Sequence, residues 1–337
     1  MSRGHLALLP CDSGRPLCDR IVHQLKDIYR HENIQDVLRP IKSKEVTFAN
    51  GEIKTELLES IRGLDLYIIQ AFDDPLSPRT VNDNFISLVT AISAAKFADA
   101  ENITIIVPQF PYSRQERRKT REAITAKLVT QFMEIAGADR VVTIDIHSEA
   151  VAGFFSKKFE NLHAGKIIVD YIEKNTCLND FTVVSPDVGS ARRARYFAAK
   201  FQTDLAIIDK ERNYSSVGRI NDMTLVGDVD GKDVFMGDDM IATGGTLLKA
   251  AKLLKDKGAK DIYIGCTHPF FNGDAIEKFD AFYQDDMIAK VIATDSVFRG
   301  ETFCREHPWY EEVSISQLFA QVIFNINQTR SISALLD

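Results

Sequence analysis

The sequence is poor in cysteine, has no long apolar run and carries no excess of positive charge. Its five cysteines, Cys11, Cys18, Cys177, Cys266 and Cys304, are scattered over 337 residues, and no two form a Cys-x-x-Cys pair. An odd, dispersed set excludes a disulfide framework and a thiolate zinc site, and it reads as reduced thiols in a cytoplasmic protein. No apolar stretch approaches the roughly 18 residues that span a bilayer, and no basic segment running into an apolar one marks an N-terminal leader. A soluble chain with no membrane partner is expected. With 41 Lys and Arg against 48 Asp and Glu, the net charge is −7. A nucleic-acid surface spread over the whole chain is therefore not expected, and a local basic site would stand out. No G-x-x-x-x-G-K-[ST] phosphate loop occurs.

What remains is the material of two ordinary cores. Hydrophobic residues make up 45% and charged residues 26% of the chain, which excludes disorder and coiled coil as the main architecture. The length suggests about two domains. Short runs rich in Val and Ile recur between breakers: His5 to Leu9, Asp65 to Gln70, Ile103 to Val107, Val141 to Ile146, Thr182 to Ser185, Leu205 to Asp209, Val234 to Met236, Ile262 to Cys266 and Ile288 to Thr294. Such runs fit strands buried on both faces of a parallel sheet. Between them Asn82 to Ala100, Thr125 to Ala136, Thr246 to Lys257 and Ser316 to Gln328 carry apolar residues at helical spacing. The alternation predicts an α/β protein. Gly137 and Gly258 each precede a strand and then a histidine, His147 or His268, ten residues on. The echo is read either as chance between two βα units or as two tandem domains of one fold. A domain break is expected near Ser156 to Lys158, giving domains 1–157 and 158–313, with the C-terminal helical segment 314–337 packed on the first.

Four groups of residues carry chemistry. In Val234 to Thr246 a strand delivers Asp238 and Asp239 to a Thr243-Gly244-Gly245-Thr246 turn that opens a helix. Converging N–H groups and the helix dipole suit a phosphate there, and the acids suit sugar hydroxyls. Arg114, Arg117, Arg118, Lys119 and Arg121 crowd a loop after the Ile103 to Val107 strand, where α/β folds place ligands. Guanidinium groups of this kind suit phosphate oxygens. Asp145-Ile146-His147 sits at a strand end, where an imidazole can ligate a metal or touch a phosphate, whereas His268 reads as structural. Lys210-Glu211-Arg212 puts two cations after the Leu205 to Asp209 strand, suited to charge building on a polyphosphate.

The Asp238 to Thr246 loop resembles that of type I phosphoribosyltransferases. Phe48-Ala-Asn-Gly-Glu52, Ile61-Arg-Gly63, Tyr112 to Arg117, Asp145-Ile-His147, Gly153-Phe-Phe155, Ser185-Pro-Asp-Val-Gly189 and Ile208 to Arg212 extend the likeness. Together these ordered segments resemble the ribose-phosphate pyrophosphokinase family. The resemblance implies two tandem phosphoribosyltransferase-like domains with ATP and Mg²⁺ between them, and transfer of the diphosphoryl group of ATP to ribose 5-phosphate. It places ATP on Phe48, Asn50, Gly51, Glu52, Arg114, Gln115 and His147, and Mg²⁺ on His147 and Asp187. Ribose 5-phosphate falls to Arg212, Asp238, Asp239, Ala242, Thr243, Gly244, Gly245 and Thr246, and catalysis to Lys210 and Arg212. It also implies a dimer-based homo-oligomer, up to a hexamer, regulated by phosphate and nucleotides.

The chain departs from the family pattern in several places. Asn50 and Ala242 stand where the family usually has Asp, and Glu116 replaces another aspartate. Glu211 replaces an arginine, the segment after His147 lacks the usual Gln, and Lys158 and Glu160 replace Pro and Asp. The stretches Asp73 to Asp83 and Arg299 to Glu312 are longer than usual. Two other readings therefore stand beside the first: a nucleotide-binding regulatory paralogue of an active subunit, and a phosphoribosyltransferase.

Overall fold

A computed structural model describes residues 2–35, 38–176, 180–210 and 223–336, with Lys210 described by its backbone alone. The chain divides into two compact units. The first comprises Met1–His163, Asp295–Arg299 and Ser314–Asp337, and the second Ala164–Thr294 and Gly300–Val313.

The first unit begins with β1 (Leu6–Pro10), α1 (Arg15–His31), β2 (Ser43–Thr47), β3 (Ile53–Leu57) and β4 (Asp65–Ile69). It continues with α2 (Val81–Phe97), β5 (Asn102–Ile106), α3 (Thr125–Ala136), β6 (Arg140–Ile144) and β7 (Lys158–Leu162). Five strands form one parallel sheet in the order β1-β4-β5-β6-β7. The central strands read as unbroken apolar runs because both faces are covered; every residue of β4 is buried. Leu66, Ile68, Ile103, Ile105 and Val141 meet Leu88, Ile92, Val129 and Met133 from α2 and α3 in one core. β2 and β3 form a separate antiparallel hairpin. Its strands carry no fully buried residue, only half-buried and exposed ones.

The second unit contains α4 (Gly165–Asn175), β8 (Phe181–Ser185), α5 (Ala191–Phe201), β9 (Leu205–Lys210), β10 (Met223–Val226) and β11 (Asp233–Ile241). Then follow α6 (Gly245–Asp256), β12 (Ile262–Pro269), α7 (Ala275–Gln284), β13 (Lys290–Thr294), α8 (Phe303–Glu306) and β14 (Tyr310–Val313). Its sheet has the order β10-β9-β8-β11-β12-β13-β14, parallel except for β10. The chain returns to the first unit with α9 (Ser316–Asn327), which packs on α1; Tyr29 and Phe324 meet edge to face with centroids 5.9 Å apart.

The α/β architecture is the one expected. The boundary expected at residues 157–158 lies instead at His163–Ala164. Lys158–Leu162 is not a linker: it pairs residue for residue with Arg140–Ile144 and completes the first sheet. Among the described residues, no helix is long and apolar enough to cross a membrane.

Candidate active site

The order of the second sheet reverses between β8 and β11. From β8 the chain moves outward through α5 to β9, and from β11 it moves the other way through α6 to β12. Outside the carboxyl ends of two such strands a crevice opens, where open α/β sheets hold their ligands. The register shows how it opens. β8 pairs with β11 only as far as Val183↔Phe235, whereas β12 accompanies β11 on to Ile241↔Pro269. Asp238 and Asp239 therefore lie in the carboxyl-terminal half of β11, which runs on past the Val234 to Met236 run read as strand, on a stretch paired on one side only.

The acid pair is tightly coupled. Asp239 is buried, and its N–H donates to Asp238 Oδ1 at 2.9 Å. Burial, then a hydrogen bond and charge repulsion from Asp239, raise the Asp238 carboxyl to about 7, opposed by the charge of Arg193. Two carboxyl groups that share a proton can both accept from and donate to neighbouring hydroxyls, which suits a vicinal diol.

After Ile241 the chain turns through Ala242 and Thr243. Phe271 N–H donates to Ile241 O at 2.9 Å and Asn272 N–H to Ala242 O at 2.7 Å, so the turn is tied to the β12–α7 connection. Gly244 takes a φ of +69°, a conformation open to glycine, and caps α6 with no side-chain partner. The first N–H groups of α6 have no intrahelical acceptor and point out of the helix start beside the exposed Thr243 and Thr246. On β8's side, Asp187 caps a short 3₁₀ turn, its Oδ1 accepting from Ser190 N–H at 2.8 Å, and Ser185 Oγ donates to Asp187 O at 2.7 Å. Lys210 ends β9 at the same edge of the sheet. The second unit thus brings together Asp187, Lys210 by its backbone, Asp238, Asp239 and Ala242 through Thr246. Arg212 lies outside the described residues.

The first unit spreads its candidates over three loops. Asn50-Gly51 turns the β2–β3 hairpin: Asn50 Oδ1 accepts from Glu52 N–H at 3.2 Å, and Phe48 N–H donates to Glu52 O at 2.8 Å. Phe48, Asn50, Gly51 and Glu52 line an open concavity of about 610 Å³ together with Asp83 and Ile86 of α2. Glu45 anchors the hairpin. Its carboxylate accepts from Asp12 N–H at 2.9 Å, Ser87 Oγ at 2.8 Å and the Arg79 guanidinium. Arg114 and Gln115 are exposed on the loop after β5 and are not among the residues that line the concavity. That loop is tied to the start of α2 by a hydrogen bond from Tyr112 Oη to Asn82 Oδ1.

His147 is exposed beyond the end of β6. The turn that carries it is held from β7 and its C-terminal neighbour His163. Asp145, at a φ of +43°, donates its N–H to Leu162 O at 2.8 Å, and its Oδ1 lies 3.0 Å from His163 Nδ1. Asn161 straddles the histidine: its Oδ1 accepts from Ile146 N–H at 3.0 Å, and its Nδ2 donates to Glu149 Oε1 at 2.8 Å. These supports were not found in the sequence, where Asn161, His163 and Glu45 carry no motif. Among the described residues, no group of three or more His, Cys, Asp or Glu side chains gathers as a metal cage.

The sequence of a ribose-phosphate pyrophosphokinase from Chlorobaculum tepidum is 40% identical over 296 residues, covering 88% of this chain and 87% of that protein. This chain belongs to the ribose-phosphate pyrophosphokinase family. Residues 6–137 match the family model of the N-terminal domain of ribose phosphate pyrophosphokinase, and residues 216–337 that of the phosphoribosyl synthetase-associated domain. A ribose-phosphate pyrophosphokinase 1 from Streptococcus pneumoniae is 34% identical over 339 residues, spanning 100% of this chain and 98% of its own. The crystal structure of phosphoribosylpyrophosphate synthetase from Mycobacterium smegmatis superposes with a TM-score of 0.84 at 31% identity, covering 96% of this chain and 99% of that one. The pyrophosphokinase relationship therefore extends over both units.

Proposed function

We propose that this protein is a ribose-phosphate diphosphokinase. The 1-hydroxyl of ribose 5-phosphate attacks the β-phosphorus of ATP, the bond from that phosphorus to the α–β bridging oxygen breaks, and AMP leaves with that oxygen. The products are phosphoribosyl diphosphate and AMP, and the hydroxyl proton is released. The observation that carries this reading is the carboxyl edge of the second sheet. There two adjacent acids near the end of β11 run into a Thr-Gly-Gly-Thr helix start at the point where the strand order reverses.

In this reading Asp238 and Asp239 hold the ribose hydroxyls, and Thr243, Gly244, Gly245 and Thr246 hold the 5-phosphate, with Ala242 at the start of that loop. Lys210 and Arg212 act on the transferring group, Arg212 also reaching the sugar phosphate. Phosphoryl transfer asks the protein mainly for positioning and charge stabilisation. Phe48, Asn50, Gly51, Glu52, Arg114, Gln115 and His147 are proposed for ATP.

Magnesium keeps several waters and takes few protein ligands when phosphates carry it. An imidazole and a carboxylate are donor types that meet this demand, and His147 of the first unit and Asp187 of the second are proposed for it. Bound Mg²⁺ would neutralise charge on the bridging oxygens. Assembly into a dimer-based homo-oligomer is part of the same proposal, and light scattering of the purified chain checks it.

The test is to incubate the purified chain with Mg·ATP and ribose 5-phosphate and to follow AMP by chromatography. AMP that appears only when ribose 5-phosphate is present is the expected result. A chain that binds ATP and releases no AMP at any Mg²⁺ or phosphate concentration is a regulatory subunit instead.

A further inference from the structure

The turn proposed to hold the sugar phosphate rests on rings. A Cβ placed on Gly244 would lie 2.4 Å from Phe279 Cε2 and 3.1 Å from its Cζ, so the turn lies directly against that ring. Phe279 stacks on Trp309 with centroids 5.2 Å apart and planes at 28°. Phe271 meets both edge to face, at 5.3 Å and 5.4 Å. The backbone of Phe271, at a φ of +44°, is the donor that ties Ile241 to the β12–α7 connection. Trp309 is fixed in turn by Asp280, the neighbour of Phe279 on α7. Its Nε1–H donates to Asp280 Oδ1 at 2.6 Å, and His307 Nδ1 lies 2.8 Å from the same oxygen. Phe279 and Trp309 are fully buried.

We infer that Phe279, Trp309 and Asp280 are positioning residues for the sugar-phosphate turn. The segment Gly300–Val313, which supplies Trp309, is the stay that sets the turn's height over the sheet. The physical argument is contact and packing. Interiors are close-packed, so a ring under a glycine that admits no Cβ transmits its own displacement to the backbone above it. The N–H groups that would receive a phosphate belong to that backbone. The inference rests on the ribose 5-phosphate reading of the turn and deepens it: affinity for the sugar phosphate, and not for the nucleotide, is set from Trp309.

Trp309 is the sole tryptophan of the chain, so its fluorescence reports this one place. Titration of the whole protein with ribose 5-phosphate should change its emission, and Mg·ATP alone should not. Phe279→Leu should raise the KM for ribose 5-phosphate by about tenfold while the KM for Mg·ATP moves less than about twofold. Asp280→Ala, at a partly exposed rim position, should raise the former by about threefold through loss of one hydrogen bond to Trp309, and it carries the test if Phe279→Leu does not fold. A wild type that releases AMP with a silent Trp309, and whose Asp280→Ala variant keeps both KM values, overturns this inference and leaves the enzyme reading in place. Equal rises in both KM values also overturn it, because they mark a general loss of structure. A wild type that neither releases AMP nor binds ribose 5-phosphate by calorimetry overturns both.

Discussion

Gly137 and Gly258 each close a helix, lead into a buried strand and stand ten residues before a histidine. The two histidines end in opposite surroundings. In the first unit β6 stops at Ile144, Asp145 turns into a left-handed φ, and His147 emerges exposed. In the second, β12 runs on to Pro269 because β11 accompanies it through Met240↔His268, and His268 stays buried, stacked on Phe270 at 5.8 Å. Spacing from the helix sets which strand position a residue takes. The length of the neighbouring strand sets whether that position reaches water. The same contrast governs the whole sites. The first sheet proceeds without reversal and spreads its candidates over the hairpin, the loop after β5 and the end of β6. The second reverses between β8 and β11 and gathers its candidates at one edge.

If the second edge does the chemistry and the first holds the nucleotide, the largest effects must come from the second unit. Lys210→Ala and Arg212→Ala should each lower kcat by about 10²-fold, roughly 3 kcal/mol of transition-state stabilisation, with little change in ATP affinity. A near-normal kcat with only a raised KM would remove both from the reaction. Next comes Ala242, where the family usually has an aspartate. The alanine has no side-chain acceptor for a ribose hydroxyl, and its carbonyl is already taken by Asn272 N–H. One charge-assisted hydrogen bond is worth about 1.5–3 kcal/mol, so Ala242→Asp should gain one to two powers of ten in rate on ribose 5-phosphate. A slower variant would mean that the turn has been rebuilt around the alanine.

The acid pair gives the comparison a pH axis. With Asp238 raised to about 7 by burial and by Asp239, the native state keeps a proton that the unfolded chain has lost above the ordinary carboxylate range. Between the two values stability falls by about 1.4 kcal/mol for each pH unit of rise. The contribution is complete below the ordinary range and gone above the raised value. Asp238→Asn should abolish this slope, so the melting temperatures of wild type and variant should draw apart from pH 4 to pH 7, with the variant higher. A gap that stays constant over that range would show that the pair does not hold the proton. The histidines split in a different way. His147→Ala should raise the Mg²⁺ concentration needed for half-maximal rate by about tenfold with an unchanged melting temperature. His268→Ala should cost about 1–3 kcal/mol of stability with an unchanged Mg²⁺ titration. The reverse pattern would undo the contrast drawn above.

The buried parallel strands were legible because each is a short apolar run between breakers, and the acid pair and Thr-Gly-Gly-Thr turn were legible because they are contiguous. The rest was hidden for physical reasons. Ser43–Thr47 and Ile53–Leu57 mix charged and polar residues with only one or two apolar ones on a two-stranded ribbon, which leaves no apolar run to see. Lys158–Leu162 buries only Leu162, so it passed for a linker and drew the boundary too early. Glu45 looks like a solvated strand residue, yet its side chain is 2% exposed and takes three donors from distant parts of the chain. Asn161, which holds Ile146 N–H, and Phe279 beneath Gly244 act on residues 15 and 35 positions away in sequence, and no local pattern records such contacts.

The smallest effect is expected at the other departure from the family, Asn50, and it sharpens the comparison because it is the same exchange of an aspartate in a different setting. At position 242 the side-chain acceptor is lost. At position 50 it is kept: Asn50 Oδ1 accepts from Glu52 N–H at 3.2 Å across the hairpin turn, and a carboxylate oxygen makes that bond equally well. Asparagine and aspartate both favour this turn by bonding the backbone two residues on. Asn50 is exposed, so the added charge of Asn50→Asp is screened by water. The KM for Mg·ATP should therefore move by less than about threefold in Asn50→Asp. Asn50→Ala, which removes the turn bond, should raise it by about threefold to tenfold, in line with the net worth of one hydrogen bond. If Asn50→Asp shifts that KM by more than about tenfold while Asn50→Ala does not, the amide group itself touches the nucleotide. The hairpin would then select its ligand by side-chain chemistry and not by the shape of the turn.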